Sequence, residues 1–338
     1  MLDDHCPTVP ARQDAIRPVE PYFGMIVRLA TDAMGTRFEL VLDGADEFFL
    51  RAAGEEAIEE IREQHDRLDA FNPASLIGRL NARAGREPMG VDQELFELLE
   101  LCQKVWRETD GAFDPALGGL MRRWGFRDEP ATTGGEGCSP VTGFEAVELD
   151  ERAGTVRFHG PILLDLGGVA KGWALDRAGA MLRQAGVTCG LVHGGTSTVV
   201  ALDGPPGRAG WGVEVPSHRE DVPSLDCGLV NAALAVSSPL GRTVVADGQV
   251  LGHVLDPRGG RPAAGTLVAA AVCKSGAEAD AWSTAIVARG GGFATMPRGM
   301  ICASLPETGG DWTISPPDNE VLRPASTDEQ GDQANDRK

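Results

Sequence analysis

Lysine is nearly missing from this chain. Of its 31 basic residues only Lys104, Lys171, Lys274 and Lys338 are lysines, and 50 acidic residues leave a formal charge of −19. So acidic a protein lacks the basic patches that non-specific binding to nucleic acid or to an anionic membrane requires. No apolar run reaches the ~20 residues of a membrane-spanning helix. The N-terminus, MLDDHCPTVPARQD, is acidic and has no apolar stretch. It therefore resembles neither a secretory nor a lipoprotein signal, and a cytoplasmic protein is expected. The seven cysteines are odd in number and contain no CxxC. This excludes a disulfide framework and a zinc site, and reads as reduced, buried thiols. GxGxxG and GxxxxGK[ST] are absent too, which argues against a Rossmann dehydrogenase and a P-loop nucleotidase. The acidity raises a question: if the ligand is a phosphate compound, what neutralises it?

What is present is a continuous globular stretch, about 25–314, between an N-terminal arm (1–24) and an acidic tail (315–338) expected to be disordered. A Gly-rich break at 132–140 reads as a surface loop. Residues 25–42 predict two strands around a turn. Phe48, Phe49, Ala52, Ala53, Ile58, Ile61, His65 and Leu68 recur at helical spacing, as do Leu95, Leu98, Leu99, Cys102, Val105 and Trp106. Further strands are expected at 145–149, 155–159, 187–192, 198–202, 211–215, 228–236, 250–255 and 267–273, with helices at 170–185 and 276–289. Strands and helices interleave without regular βαβ repeats. The expected class is α+β, a β-rich core with flanking helices.

Three segments carry candidate chemistry. In LLDLGGVAKGWALDRAG (163–179) an apolar strand reaches Asp165, turns at Gly167–Gly168 and enters a helix bearing Lys171 and Asp176. Glycines admit a ligand close to the backbone, and a helix N-terminus favours anions. In AEADAWSTAIVARG (277–290) Asp280 and Thr284 share one helix face, with Ser283 beside them. Carboxylate and hydroxyl are hard donors suited to Mg²⁺. The competing reading is a small-residue packing helix with one solvated aspartate. In GHVLDPRGGRP (252–262) His253 ends a strand, either as a general base or merely hydrogen-bonded. MGT (34–36), GAFDPALGG (111–119) and HGGTST (193–198) are further glycine-punctuated turns.

Taken in order, these segments resemble the ApbE family, the FAD:protein FMN transferases, over about residues 30–305. The likeness runs through MGT, FNPASLIGRLN (71–81), GAFDPALGGL (111–120), WGF (124–126), DLGGVAKGWALD (165–176), Gly194–Gly195, HVLDP (253–257) and ADAWSTA (279–285). It implies one α+β flavin transferase domain with Mg²⁺ as cofactor and FAD as substrate. It also implies transfer of FMN to a Thr or Ser hydroxyl of an acceptor flavoprotein, with release of AMP. The alternatives are an FAD pyrophosphatase, as in some members, and a catalytically impaired FAD-binding protein. The resemblance places the metal on Asp280, Thr284 and the Ala170 carbonyl, with Ser283 adjacent. It places Met34, Phe71, Ala112, Phe113, Asp114, Gly167, Trp173 and Val254 around FAD. Lys171 and Asp176 match the family's Lys-Gly-aromatic-x-x-Asp stretch, and His253 a histidine proposed as catalytic base. The sequence departs from the family in two places. Thr196 follows the Gly-Gly pair where an aspartate is usual, and Val236–Ser237–Ser238 stands where Thr-Ser-Gly is usual.

Overall fold

The computed structural model describes residues 25–126, 143–246 and 248–325. The expected arm (1–24) and the Gly-rich break (132–140) lie outside them. Two nine-residue strands come first, β1 (Met25–Ala33) and β2 (Thr36–Gly44), paired antiparallel with Ala33 opposite Thr36. Only Met34 and Gly35 remain for the turn, and both have positive φ, 49° and 72°. Positive φ at both central residues is the type I′ pattern, whose twist matches that of the strands.

Three helices follow: α1 (Glu47–Leu68), α2 (Leu76–Arg83) and α3 (Gln93–Glu108), with the short β3 (Met89–Gly90) between the last two. Each helix is N-capped, by Asp46, Ser75 and Asp92, whose side chains accept the backbone N–H of the third helical residue. Next come α4 (Gly118–Arg123), β4 (Val147–Asp150), β5 (Thr155–Phe158), α5 (Ala170–Ala185), β6 (Cys189–Gly194), β7 (Thr198–Ala201), β8 (Trp211–Val215), β9 (Leu225–Leu229) and β10 (Ala233–Ser237). The chain continues with β11 (Thr243–Ala246), β12 (Gln249–Gly252), β13 (Leu255–Asp256), β14 (Arg261–Pro262), β15 (Thr266–Cys273), α6 (Gly276–Arg289), β16 (Ile301–Pro306), β17 (Thr313–Ser315) and β18 (Leu322–Pro324).

The centre is one eight-stranded sheet in the order β1-β2-β6-β7-β10-β15-β16-β17, antiparallel throughout. Its strands alternate between two apolar layers. On one face Phe38, Leu40, Leu42, Val192 and Val200 meet α1 and α5 through Leu50, Ala57, Ile61, Leu175 and Leu182. On the other, Val41, Leu191, Val199 and Leu234 meet the small sheet β18-β9-β8 through Trp211, Val213, Leu225 and Leu229. With period-two side chains, a strand covered on both faces is almost wholly apolar, as in β7, whose Thr198, Val199, Val200 and Ala201 are all buried. A third cluster joins α2, α3 and β5 to α6. The result is the expected α+β class in a single domain, layered helix, sheet, sheet. No described helix is long and apolar enough to cross a membrane.

Several expectations change. Phe48 is 87% exposed and Phe49 half out, because the buried face of α1 is set by Leu50, Ala53, Ala57, Ile58, Ile61 and Leu68. The strand expected over 228–236 is two, broken at Asn231, which turns the chain from the small sheet into the large one at φ 47°. Asparagine is among the few residues that take this conformation readily. Residues 250–255 likewise divide between β12 and β13. The tail does not begin at 315: β18 pairs with β9, Leu322 opposite Cys227, and Leu322 is 1% exposed. Two apolar residues in an acidic, proline-rich stretch, Val321 and Leu322, dock a short edge strand onto the core, where Pro324 costs no ladder bond. Residues 326–338 lie outside those described. The helices α2 and α4 and the strand β16 were not anticipated.

Candidate active site

The site is built where α5 and α6 touch. Asp176 of α5 ties the two helices together. One of its oxygens accepts from Gly276 N–H at 2.7 Å, the other from Ser275 Oγ at 2.7 Å and Ala277 N–H at 3.0 Å. Burial raises the pKa of Asp176, and these hydrogen bonds act the other way. Asp176, expected among the FAD contacts, is therefore a cap for the first turn of α6. Close approach is made possible by Gly172. A Cβ built there would stand 2.0 Å from the carbonyl oxygen of Gly276.

That contact brings Asp280 into the first turn of α5. Eleven of the fourteen residues of α6 are buried, Asp280 among them at 2% exposure. This overturns the reading of Asp280 as solvated. Its Oδ2 accepts from Gly172 N–H at 3.2 Å and lies 3.6 Å from Lys171 Nζ. Its Oδ1 accepts from Thr198 Oγ1 at 3.3 Å. A buried carboxylate is stable only when so surrounded. Lys171, the one lysine predicted at the site, also reaches the Gly167 carbonyl at 3.5 Å.

Hydroxyls collect one turn further on. Ser237, at the end of β10, lies 2.8 Å from Ser283 Oγ and 3.3 Å from Thr284 Oγ1, and Ser283 Oγ donates to the Asp280 carbonyl at 3.0 Å. Gly168 abuts Thr284 and Phe113: a Cβ there would sit 3.2 Å from Thr284 Oγ1 and 3.5 Å from Phe113 Cε2. The structure thus brings together Asp280, Ser283, Thr284, Lys171, the Gly167–Gly168 turn and Phe113. Ala170 is the first residue of α5, two before the Gly172 amide that reaches Asp280.

These donors fit magnesium. Among the described residues no three or more of His, Cys, Asp and Glu cluster as a metal-binding set. Soft-ligand and multi-carboxylate sites are therefore not offered there. One carboxylate with hydroxyl and carbonyl oxygens is the hard, sparse set that Mg²⁺ accepts when substrate phosphates and water complete its shell.

The remaining predicted residues lie around this centre or apart from it. Ala112 and Phe113 are buried, and Asp114 holds the turn by accepting from Ala116 N–H at 2.7 Å and Phe144 N–H at 3.2 Å. Burial pushes the Asp114 carboxyl up to about 6 despite these bonds. Trp173 is half-buried and Val254 buried, both packed into the cluster around α6. Met34 N–H donates to His65 Nδ1 at 3.3 Å. A cavity of about 390 Å³ opens beside Met34 and His65, away from Asp280. A larger one, about 470 Å³, lies between α1 and α2 and contains no predicted residue. Phe71 stands 43% exposed in the loop before α2.

His253 follows β12. Its backbone N–H donates to the Arg242 carbonyl at 3.0 Å, and its Nδ1 accepts from Arg242 N–H at 3.2 Å. Burial holds its pKa below the usual imidazole value, aided by the charges of Lys171 and Arg242.

Sequence reasoning singled out the segments that hold Thr198 (193–198) and Ser237 (236–238) but assigned neither side chain to the neighbourhood of Asp280. Both are far in sequence from Asp280, and only the antiparallel pairing of β10 with β7 and β15 brings them to α6. It also missed Asn81. That side chain clamps Leu164, donating to its carbonyl at 3.0 Å and accepting its N–H at 2.7 Å. It thereby fixes the segment that enters the glycine turn, which is not the strand expected there but an irregular stretch bridged at Leu163 to Leu117. Thr196, where the family usually has an aspartate, is exposed.

Residues 34–295 match the model of the ApbE family. The FAD:protein FMN transferase of Rhodobacter capsulatus is 30% identical over 269 residues, 76% of this chain and 50% of that protein. The chain thus spans about half the length of that relative. The FAD:protein FMN transferase of Klebsiella pneumoniae is 25% identical over 270 residues, 76% of this chain and 77% of that one. The crystal structure of the ApbE protein of Thermotoga maritima aligns with TM-score 0.74 at 26% identity, covering 86% of this chain and 96% of that one. The flavin transferase ApbE of Vibrio cholerae shares the fold at TM-score 0.68 and 22% identity, with the same coverage.

Proposed function

The chain belongs to the ApbE family, and from that premise we propose that it is a Mg²⁺-dependent FAD:protein FMN transferase. It splits FAD at the diphosphate, joins FMN to a Thr or Ser hydroxyl of an acceptor flavoprotein and releases AMP. The observation that carries this reading is the buried Asp280, set against the first turn of α5 with Lys171, Thr284 and Ser237 around it.

Phosphoryl-type transfer asks the protein mainly for positioning and charge stabilisation. Asp280, Thr284 and the Ala170 carbonyl would hold magnesium, which when bound supplies Lewis-acid stabilisation of charge on the phosphate oxygens. Lys171, 21% exposed beside Asp280, presents a cation to the diphosphate. The exposed Gly167 and the half-buried Gly168 let a phosphate approach the backbone where a side chain would stand in the way. Asp176 and Gly172 hold α6 in register with α5, and Phe113 walls the glycine turn.

The test is incubation with FAD and Mg²⁺, with and without a flavoprotein domain bearing a Thr/Ser acceptor site. AMP release that needs the acceptor, together with a flavin-sized mass gain on it, is the expected result. AMP release without acceptor marks a pyrophosphatase, and FAD retention without AMP a binding protein. Asp280→Ala is expected to cost more than about 100-fold in transfer, on the scale at which lost metal-site contacts are felt. Undiminished turnover would remove Asp280 from the reaction.

A further inference from the structure

The hairpin β11–β12 is a separate two-stranded sheet rooted at the candidate site. Ser237, 2.8 Å from Ser283 Oγ, ends β10 shortly before β11, and His253 follows β12 directly. The ribbon is firmly seated. A Cβ on Gly252 would stand 2.4 Å from the Pro239 carbonyl oxygen, so β12 packs on the segment that leaves Ser237. Arg242 Nη2 would lie 3.0 Å from a Cβ on Gly35, against the β1–β2 turn. On the inner face Val244 packs with Leu117, Leu120 and Leu255. Trp124 Nε1 donates to the Gly260 carbonyl at 3.0 Å. The hairpin, α4 and the β13–β14 turn thus form one block beside the site.

The outer face of the ribbon breaks the usual pattern. A hairpin packed on one side alternates apolar inward and polar outward. Here the cross-strand partners Val245 and Val250 both face out, 73% and 70% exposed. A lone surface aliphatic needs no explanation, but two opposed valines on one face form a contact surface. The charge of this block also departs from that of the molecule. Residues 118–126 and 238–262 hold five arginines, Arg122, Arg123, Arg242, Arg258 and Arg261, against the aspartates 247 and 256. All five arginines are exposed. The block is therefore +3 in a chain of −19.

We infer that the outer face of β11–β12 and the arginines of its block dock the acceptor flavoprotein, through a surface on it that is apolar at the centre and carboxylate-rich at the rim. This rests on the transferase reading, in which a folded protein must bring a hydroxyl to the site. The acidic body repels such a partner, and the one positive block attracts it. That field turns the acceptor toward the site, while the valines supply contact from which water is excluded. Two other occupants suit the face less well. A second copy related by a two-fold axis would set arginines against arginines. An anionic membrane would meet the negative charge of the rest of the molecule.

The test is the FMN-transfer assay with the flavoprotein acceptor domain and two double variants outside the catalytic machinery. Val245→Ser with Val250→Ser removes the apolar face, and Arg122→Glu with Arg261→Glu reverses part of the rim. Binding lost equally from ground and transition states raises KM and spares kcat. Each variant is expected to raise the KM for the acceptor domain about tenfold or more, with kcat, FAD affinity and Tm close to the parent's. Added NaCl is expected to raise the parent's KM, and the arginine variant to lose most of that dependence. An unmoved KM in either variant, or a fall in kcat at constant KM, overturns the docking surface and leaves the transferase reading standing. Self-association of the parent in sedimentation, or binding to phosphatidylglycerol vesicles, gives the face to another occupant and overturns the inference if the valine variant abolishes it. A parent that transfers no FMN to any acceptor overturns the reading and the docking surface together.

Discussion

At the scale of single residues, burial decides which carboxylates matter. Asp280 looked from spacing like any aspartate on a helix; at 2% exposure it is a buried anion held by an amide, a hydroxyl and a lysine. Asp114 is the other case. Its two accepted amides do not offset desolvation, and its pKa rises from the usual 3.8 to about 6. The native protein then keeps this proton to higher pH than the unfolded chain. The stability it contributes is fully present below about pH 4 and falls as pH rises to about 6, by up to about 3 kcal/mol. Asp114→Asn removes the titration. Urea unfolding at pH 4.5 and pH 7 should show the variant gaining on the parent at the higher pH. Parallel behaviour at both pH values would mean that Asp114 is not desolvated. Cysteine follows the same logic. Cys102, Cys189, Cys227 and Cys302 are buried, all described cysteines are free, and desolvation pushes even the half-buried Cys273 up to about 12. Burial thus favours the protonated thiol at each of these positions.

At the scale of elements, the α5–α6 contact organises the site, and it depends on a missing side chain. In Gly172→Ala the new methyl would meet the Gly276 carbonyl at 2.0 Å, a backbone atom that cannot swing away. The helices must part, at about 1–3 kcal/mol or more. The Gly172 amide then leaves Asp280. A lower Tm together with FMN transfer reduced more than the Tm change explains is the expected outcome; a variant with parent stability and activity would show that α5 and α6 tolerate separation. The boundaries of both helices were readable, because α5 ends at Gly186 and α6 at Gly290, each in the left-handed conformation that glycine favours. The strands were less readable where a turn residue interrupts an apolar run. Asn231 splits β9 from β10, and no periodicity marks that junction.

At the scale of the whole molecule, the charge question has an answer within the proposed function. Residues 316–338 hold six acidic and three basic residues, so −16 remains on the rest of the chain. The acidity belongs to the fold itself. Neutralising a diphosphate then falls to magnesium, to backbone amides at glycine turns and to Lys171. The molecule also extends further than its composition suggests. Deleting from 316 onward should lower Tm by several degrees relative to deleting from 326 onward, because Leu322 is buried and β18 covers the outer edge of β9. Burying one leucine is worth about 2 kcal/mol. Equal melting temperatures for the two truncations would show that β18 adds nothing.

Legible in local pattern were the class of fold, the two helices that meet at the candidate site, and the glycine turn between Leu166 and Ala170. Those features are local: apolar spacing, caps and glycines act within a few residues of where they are written. Packing between distant segments was needed to see that Asp280 is buried, that Asp176 caps α6, and that Ser237 and Thr198 lie at the candidate site. Each of these rests on a contact between segments tens of residues or more apart. Such contacts depend on strand order and helix packing, which no local pattern encodes.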